Sequence, residues 1–238
     1  MAANNLNEKE YRSDHEVGLL DNLNSLREER ILCDVTFNAE GGEVSAHRSI
    51  LAAFSEYYRA MFTSKCKEGC TDDGVKVVGI TALILNLIIS FIYTAKITIN
   101  SETVYQLYEA ADMLQIKYVK DYCVGFLKDT LEVGNWLIVR AFAQMYNIPE
   151  LVTHCDNFFL DNLELVSNGL DFKELNLDET ETLIRMTKTS DSSSEETIFR
   201  SIMNWVKHDL ENRQQFFERL FQLIDIKKLP TSFLKVIK

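Results

Sequence analysis

Leu19, Leu20, Leu23 and Leu26 recur at the spacing of one helical face, and Ser13 with Glu16 three residues on makes a capping box ahead of them. The period then drops to two. In "LCDVTFN", Cys33, Val35 and Phe37 fall on one side and Asp34, Thr36 and Asn38 on the other, which predicts a strand. The Gly-Gly pair of "AEGGEVSAH" supplies a turn into a second short strand, so a hairpin is expected. Helical spacing returns in "SAHRSILAAFSEYYRAMF", broken at Ser55, which is suited to cap a second short helix. "GVKVVGI" reads as a third strand. Thr81 then caps a helix with apolar residues all around it, "ALILNLIISFIY", which predicts burial.

"KITIN" is a short strand or an extended link, and the following residues read as two helices joined near Leu114 to Ile116. From Gly134 onward every segment has helical spacing. Pro149 suits a first turn, and Asp178 with Glu181 and Ser193 with Glu196 are further capping boxes. Ile198, Phe199, Ile202, Trp205, Val206 and Leu210 make one apolar face. The chain thus changes from mixed α and β to all-α between residues 130 and 134, without a long Pro/Ser/Gly linker. The expected class is α+β, a small sheet with helical hairpins followed by an all-α domain.

The composition is that of a globular, helix-rich chain, 46% hydrophobic with 2 Pro and 9 Gly, and 238 residues allow one large domain or two modest ones. The net charge of -11 and the lack of a basic run argue against nucleic acid. The N-terminus has no apolar signal region, and "TALILNLIISFIY" is shorter than the about 20 residues a bilayer needs, so neither secretion nor a membrane is expected. Five cysteines at irregular spacing suggest reduced thiols, in cytoplasm or nucleus.

The sequence holds no complete catalytic or metal-binding motif. Cys66 and Cys70 are spaced like half of a zinc site, but no second half exists, so no metal or other cofactor is expected. His154 and Cys155 are adjacent on a helix and point apart. Asp34 and His47 are near one another in the hairpin, yet no nucleophile elbow or phosphate loop accompanies them, and His47 reads as a structural histidine. No catalytic residue is assigned, which leaves a binding or assembly module.

The motifs Cys33-Asp34-Val35, Ala46-His47-Arg48 and Met61-Phe62, in that order, resemble a BTB (POZ) domain, and "FIYTAKITINSETVYQLYEAADMLQIKYVKDYCVGFL" continues the likeness. "NWLIVRAFAQMYNIPELVTHCDNFF" and "FRSIMNWVKHDLENR" resemble the BACK domain. The expected boundaries are 12–130 and 131–238, and the order is that of the Kelch-like proteins.

The resemblance implies a non-catalytic substrate adaptor of a cullin-3 ubiquitin ligase. Its BTB domain would form a homodimer and bind the N-terminal domain of cullin-3, and a kelch propeller would hold the substrate. A propeller needs several blades of about 50 residues. After two domains the 238 residues leave no room for it, so the chain is expected to be a piece or a short form of such a protein. Leu19, Leu20, Leu23 and Leu26 would form the dimer face, with Asp34 and Arg48 as a charged pair beside it. Burying four leucines at about 1.5–3 kcal/mol each is enough for a stable dimer. The hydrophobic-x-Glu motif that docks the cullin falls on Cys66-Lys67-Glu68, with cysteine as a small version of the usual anchor. Leu114 would add to that face, and Phe142, Met145 and Tyr146 to a groove for the cullin's N-terminal extension. The alternative is a dimeric BTB scaffold, transcriptional or cytoskeletal, that works without a cullin.

Overall fold

The computed structural model describes residues 16–63, 74–189 and 194–229. It divides into two compact units, Met1–Phe126 and Leu127–Lys238.

The first unit opens with α1 (Glu16–Glu28), followed by the hairpin of β1 (Val35–Glu40) and β2 (Gly42–Ala46). The two strands are antiparallel, with Phe37 opposite Val44 and Val35 opposite Ala46, so the period-two apolar residues share the buried face. The turn rests on Gly41 at φ +88°, a conformation that favours glycine. After α2 (Arg48–Phe54) and α3 (Glu56–Thr63), β3 (Val75–Thr81) joins β1 in parallel, and the sheet order is β2-β1-β3. Gly74 lets the chain enter that pairing: a Cβ there would lie 2.7 Å from the Thr36 carbonyl oxygen.

The buried helix is α4 (Ala82–Thr94), capped by the Thr81 side chain accepting from the Ile84 N–H. Ile84, Leu85, Ile88, Ile89 and Tyr93 are all buried, but Leu83 is 64% exposed, so the helix is not apolar on all sides into the core. The "KITIN" stretch is an extended link rather than a ladder strand. Helices α5 (Val104–Met113) and α6 (Lys117–Asp129) follow. The Ser55 hydroxyl does not cap α3; it donates to the Leu114 carbonyl at 3.3 Å and ties the α2–α3 corner to the α5–α6 joint.

The second unit is built of α7 (Trp136–Met145), α8 (Pro149–Asp161), α9 (Leu163–Asn168), α10 (Leu170–Glu174), α11 (Leu177–Thr187), α12 (Glu195–His208), α13 (Leu210–Arg213) and α14 (Phe217–Phe221). Its core gathers Trp136, Phe159, Phe172, Ile184, Ile202 and Trp205. The Trp205 indole N–H donates to the Leu175 carbonyl at 2.8 Å. Arg213 stacks over that indole at 4.2 Å and donates to the carbonyls of Lys173 (2.5 Å) and Trp205 (3.0 Å). The Trp and Arg of "NWVKHDLENR" are therefore two halves of one knot that binds α10, α12 and α13.

Three expected details change. The capping box of α11 is Asn176 with Glu179, not Asp178 with Glu181, and Glu181 is instead drawn into an ion cluster. The cap of α12 is Ser194, accepting from the Thr197 N–H, while Ser193 lies outside the described residues, as does Ser13. The apolar stripe of α12 ends at Asp209, where the helix breaks, so Leu210 starts α13 and is 53% exposed.

Candidate interaction surfaces

The candidate dimer residues sit on α1 and at the start of β1 and α2. Leu19 and Leu20 are 52% and 39% exposed, and Leu23 and Leu26 are half-buried. The helix is amphipathic, but part of its apolar stripe is left uncovered within the chain. Asp34 and Arg48 do meet. The Asp34 carboxylate accepts the Arg48 backbone N–H at 2.7 Å, and the Arg48 Nε donates to the Asp34 backbone carbonyl at 3.0 Å. The Arg48 guanidinium also lies 5.6 Å over the Phe62 ring. The pair thus holds the β1 entry to the first turn of α2.

His47, just before Arg48, is 8% exposed and structural. Its Nε2 faces the Ile31 carbonyl at 3.0 Å, which can only accept, so Nε2 carries the proton and donates. Its Nδ1 is hydrogen-bonded to the Tyr93 hydroxyl at 2.7 Å, and that hydroxyl accepts the His47 backbone N–H at 2.8 Å. Asp34, the nearby carboxylate in the sequence, instead bonds the Arg48 backbone.

Cys66, Lys67 and Glu68 lie outside the described residues. Leu114 is described, and it is buried at 4% exposure. It completes the α5 stripe of Val104, Leu107, Tyr108 and Ala111, so its side chain belongs to the core rather than to a docking face. The apolar residues exposed around that joint are its neighbours Met113 (53%) and Tyr118 (62%). The 3.6-residue stripe, carried one turn further, identifies Leu114 as core.

At the C-terminal end of α7 the three candidates do not share one exposed surface. Phe142 is buried, its ring 4.7 Å from that of Tyr146, which is half-buried, and Met145 is 68% exposed. A groove of 600 Å³ runs along another side of the same helix. Its apolar floor is Leu137, Ile138 and Ala141 of α7 with Leu175 and Leu183, and its rim carries Asp178 and Glu179. The Arg140–Asp156 ion pair at 2.6 Å fixes α7 against α8. The sequence signal was present in the spacing of Leu137, Ala141 and Gln144, but the stronger Trp136–Val139–Phe142 stripe masks it.

The three described thiols, Cys33, Cys123 and Cys155, are poorly suited to chemistry, and Cys66 and Cys70 lie outside the described residues. Burial pushes Cys123 up to about 12 and Cys155 up to about 11, and raises Cys33 as well. Cys155 is buried while His154 beside it is exposed. Among the described residues no group of three or more His, Cys, Asp or Glu could hold a metal ion, and no helix is long and apolar enough to cross a membrane.

Comparison with known proteins gives these surfaces a family. Residues 23–131 match the model of the BTB/POZ domain, and residues 136–237 match the BACK (BTB And C-terminal Kelch) model. Human Kelch-like protein 2 is 36% identical over 212 residues, 89% of this chain and 35% of its own length. Zebrafish Kelch-like protein 21 is 35% identical over 214 residues, 88% of this chain and 34% of its own length. The solved BTB domain of zebrafish PATZ1 is 28% identical, covers 52% of this chain and 100% of its own, with a TM-score of 0.45. The chain spans about a third of the length of the curated relatives it matches. With a BTB/POZ domain followed by a BACK domain, and Kelch-like relatives across both, this chain belongs to the Kelch-like family.

Proposed function

We propose that the chain is the dimerising and cullin-binding part of a substrate adaptor for a cullin-3 ubiquitin ligase. The observation that carries this reading is the unbroken BTB-then-BACK order with Kelch-like relatives over 89% of the chain. In this reading two copies associate through the uncovered leucines of α1. The cullin N-terminal domain docks on the Cys66-Lys67-Glu68 motif and on the exposed side chains of Met113 and Tyr118. The apolar groove along α7 takes the cullin's N-terminal extension, in place of a surface made by Phe142. The protein acts without catalysis of its own, in the cytoplasm or nucleus, and its substrate is held by a kelch propeller rather than by these two domains.

Light scattering on an eluting mixture of the chain and the cullin-3 N-terminal domain tests this. A complex of two chains with two cullin domains is expected; a folded dimer that elutes apart from the cullin overturns it. The small anchor at Cys66 favours one other reading, a dimeric scaffold that needs no cullin. In that case Glu68→Lys leaves every activity of the protein unchanged, whereas the adaptor reading expects loss.

A further inference from the structure

Arg27, near the C-terminal end of α1, is 6% exposed. Burying a guanidinium is costly, and it persists where directed bonds repay the desolvation. Here its Nε donates to Asn24 on the same helix at 3.1 Å. Nη1 donates to Asn86 Oδ1 and Nη2 to Ser90 Oγ, both on α4 and both at 3.1 Å. The guanidinium also lies 5.4 Å over the Tyr93 ring. Among the described residues the carboxylate paired with it is that of Glu28, at 3.9 Å and mostly exposed, so neutral acceptors do most of the holding there.

Tyr93 is the same residue that fixes the His47 ring and backbone. His47 in turn grips the Ile31 carbonyl just beyond α1 and precedes Arg48, whose backbone Asp34 holds. One polar network therefore runs from α1 through α4 to the start of β1 and α2. These are the elements that carry Leu19, Leu20, Leu23, Leu26, Asp34 and Arg48.

Apolar contact alone would let α1 slide or roll on α4, because burial has no direction. Two hydrogen bonds to α4 from one planar group, itself held by a third to Asn24 on α1, fix both the rotation and the register of α1. We infer that Arg27 is a positioning residue: through Asn86, Ser90 and Tyr93 it sets the angle at which α1 presents its uncovered leucines to a second copy of the chain. This rests on the dimer face proposed above.

Sedimentation velocity on the whole chain tests it, with circular dichroism as the check on folding. Arg27→Met, and separately the double variant Asn86→Ala/Ser90→Ala, are expected to weaken self-association at least about tenfold with an unchanged helical spectrum. The double variant leaves α1 untouched, so it remains informative if Arg27→Met does not fold. Arg27→Lys keeps the charge but not the fork, and is expected to remain weakened. Leu20→Asp reports on the face itself. If Leu20→Asp dissociates the dimer while the double variant keeps the wild-type constant, Arg27 has no positioning role and the inference fails alone. If Leu20→Asp changes nothing, the dimer face is elsewhere and the inference falls with it.

Discussion

At the scale of single residues, Met113, Tyr118 and Met145 offer exposed apolar surface at 53%, 62% and 68%. Leu114 and Phe142 are apolar residues in the segments where a partner is expected, yet both are buried, and exposed neighbours such as Met113 and Met145 take the surface. A side chain's direction depends on helix phase, and near a helix end one residue of uncertainty turns the phase by about 100°. Cys66 poses a question of size instead. Replacing it by leucine restores one or two methylenes at about 0.8 kcal/mol each, so Cys66→Leu is expected to tighten cullin binding by about 4- to 15-fold in a titration. Weaker binding would mean that the motif is misplaced in this loop.

Glu181 shows how a local charge becomes a pH response. The Arg185 Nε and Nη2 donate to its Oε1 at 2.9 and 2.5 Å, and the Arg219 Nη2 lies 2.5 Å from Oε2 as an ion pair outside hydrogen-bond alignment. The Arg185 hydrogen bonds hold its pKa below the usual carboxylate value; burial opposes them, and Arg219 adds to the lowering. The folded pKa is thus the lower one. Its stabilisation is complete above the unfolded value of about 4.3 and is lost as pH falls through the folded value. Glu181→Gln is expected to lower the Tm at pH 7 by about 2–6 °C, with the difference closing below about pH 4. A difference that persists at low pH would assign the effect to packing.

At the scale of elements, periodicity was sufficient where one face is buried. The hairpin, the third strand and α4 follow from period two, a glycine turn and the Thr81 cap. What periodicity does not show is which elements meet. The parallel pairing of β3 with β1 joins residues far apart in sequence, and the cap of α11 falls on Asn176 because its side chain and that of Glu179 close reciprocally. The groove is likewise a product of two elements, α7 and the Leu175–Leu183 region, and neither marks it alone. Ala141, exposed on its floor, leaves the space open. Ala141→Trp is expected to fill it and weaken cullin binding about fivefold or more while the dimer stays intact. Unaltered affinity in calorimetry would take the groove out of the cullin site.

At the scale of the whole molecule, the α+β-then-α order was legible because the two halves obey different hydrophobic periods, and the motifs from Cys33 to Phe62 and around Trp205 name two domain types. Trp205 and Arg213 also act as a unit: one stacks on the other and both donate to backbone carbonyls. The docking surface is less legible, because it depends on exposure and on charges supplied by a partner. The proposed adaptor role depends on cullin binding through Glu68. Calorimetric titration of the cullin-3 N-terminal domain into the wild-type dimer and into Glu68→Lys tests it most directly. A Kd below about 10 μM for the wild type and at least a tenfold loss for the variant are expected; a folded dimer that shows no binding, or a variant that binds as tightly as the wild type, would contradict the adaptor role.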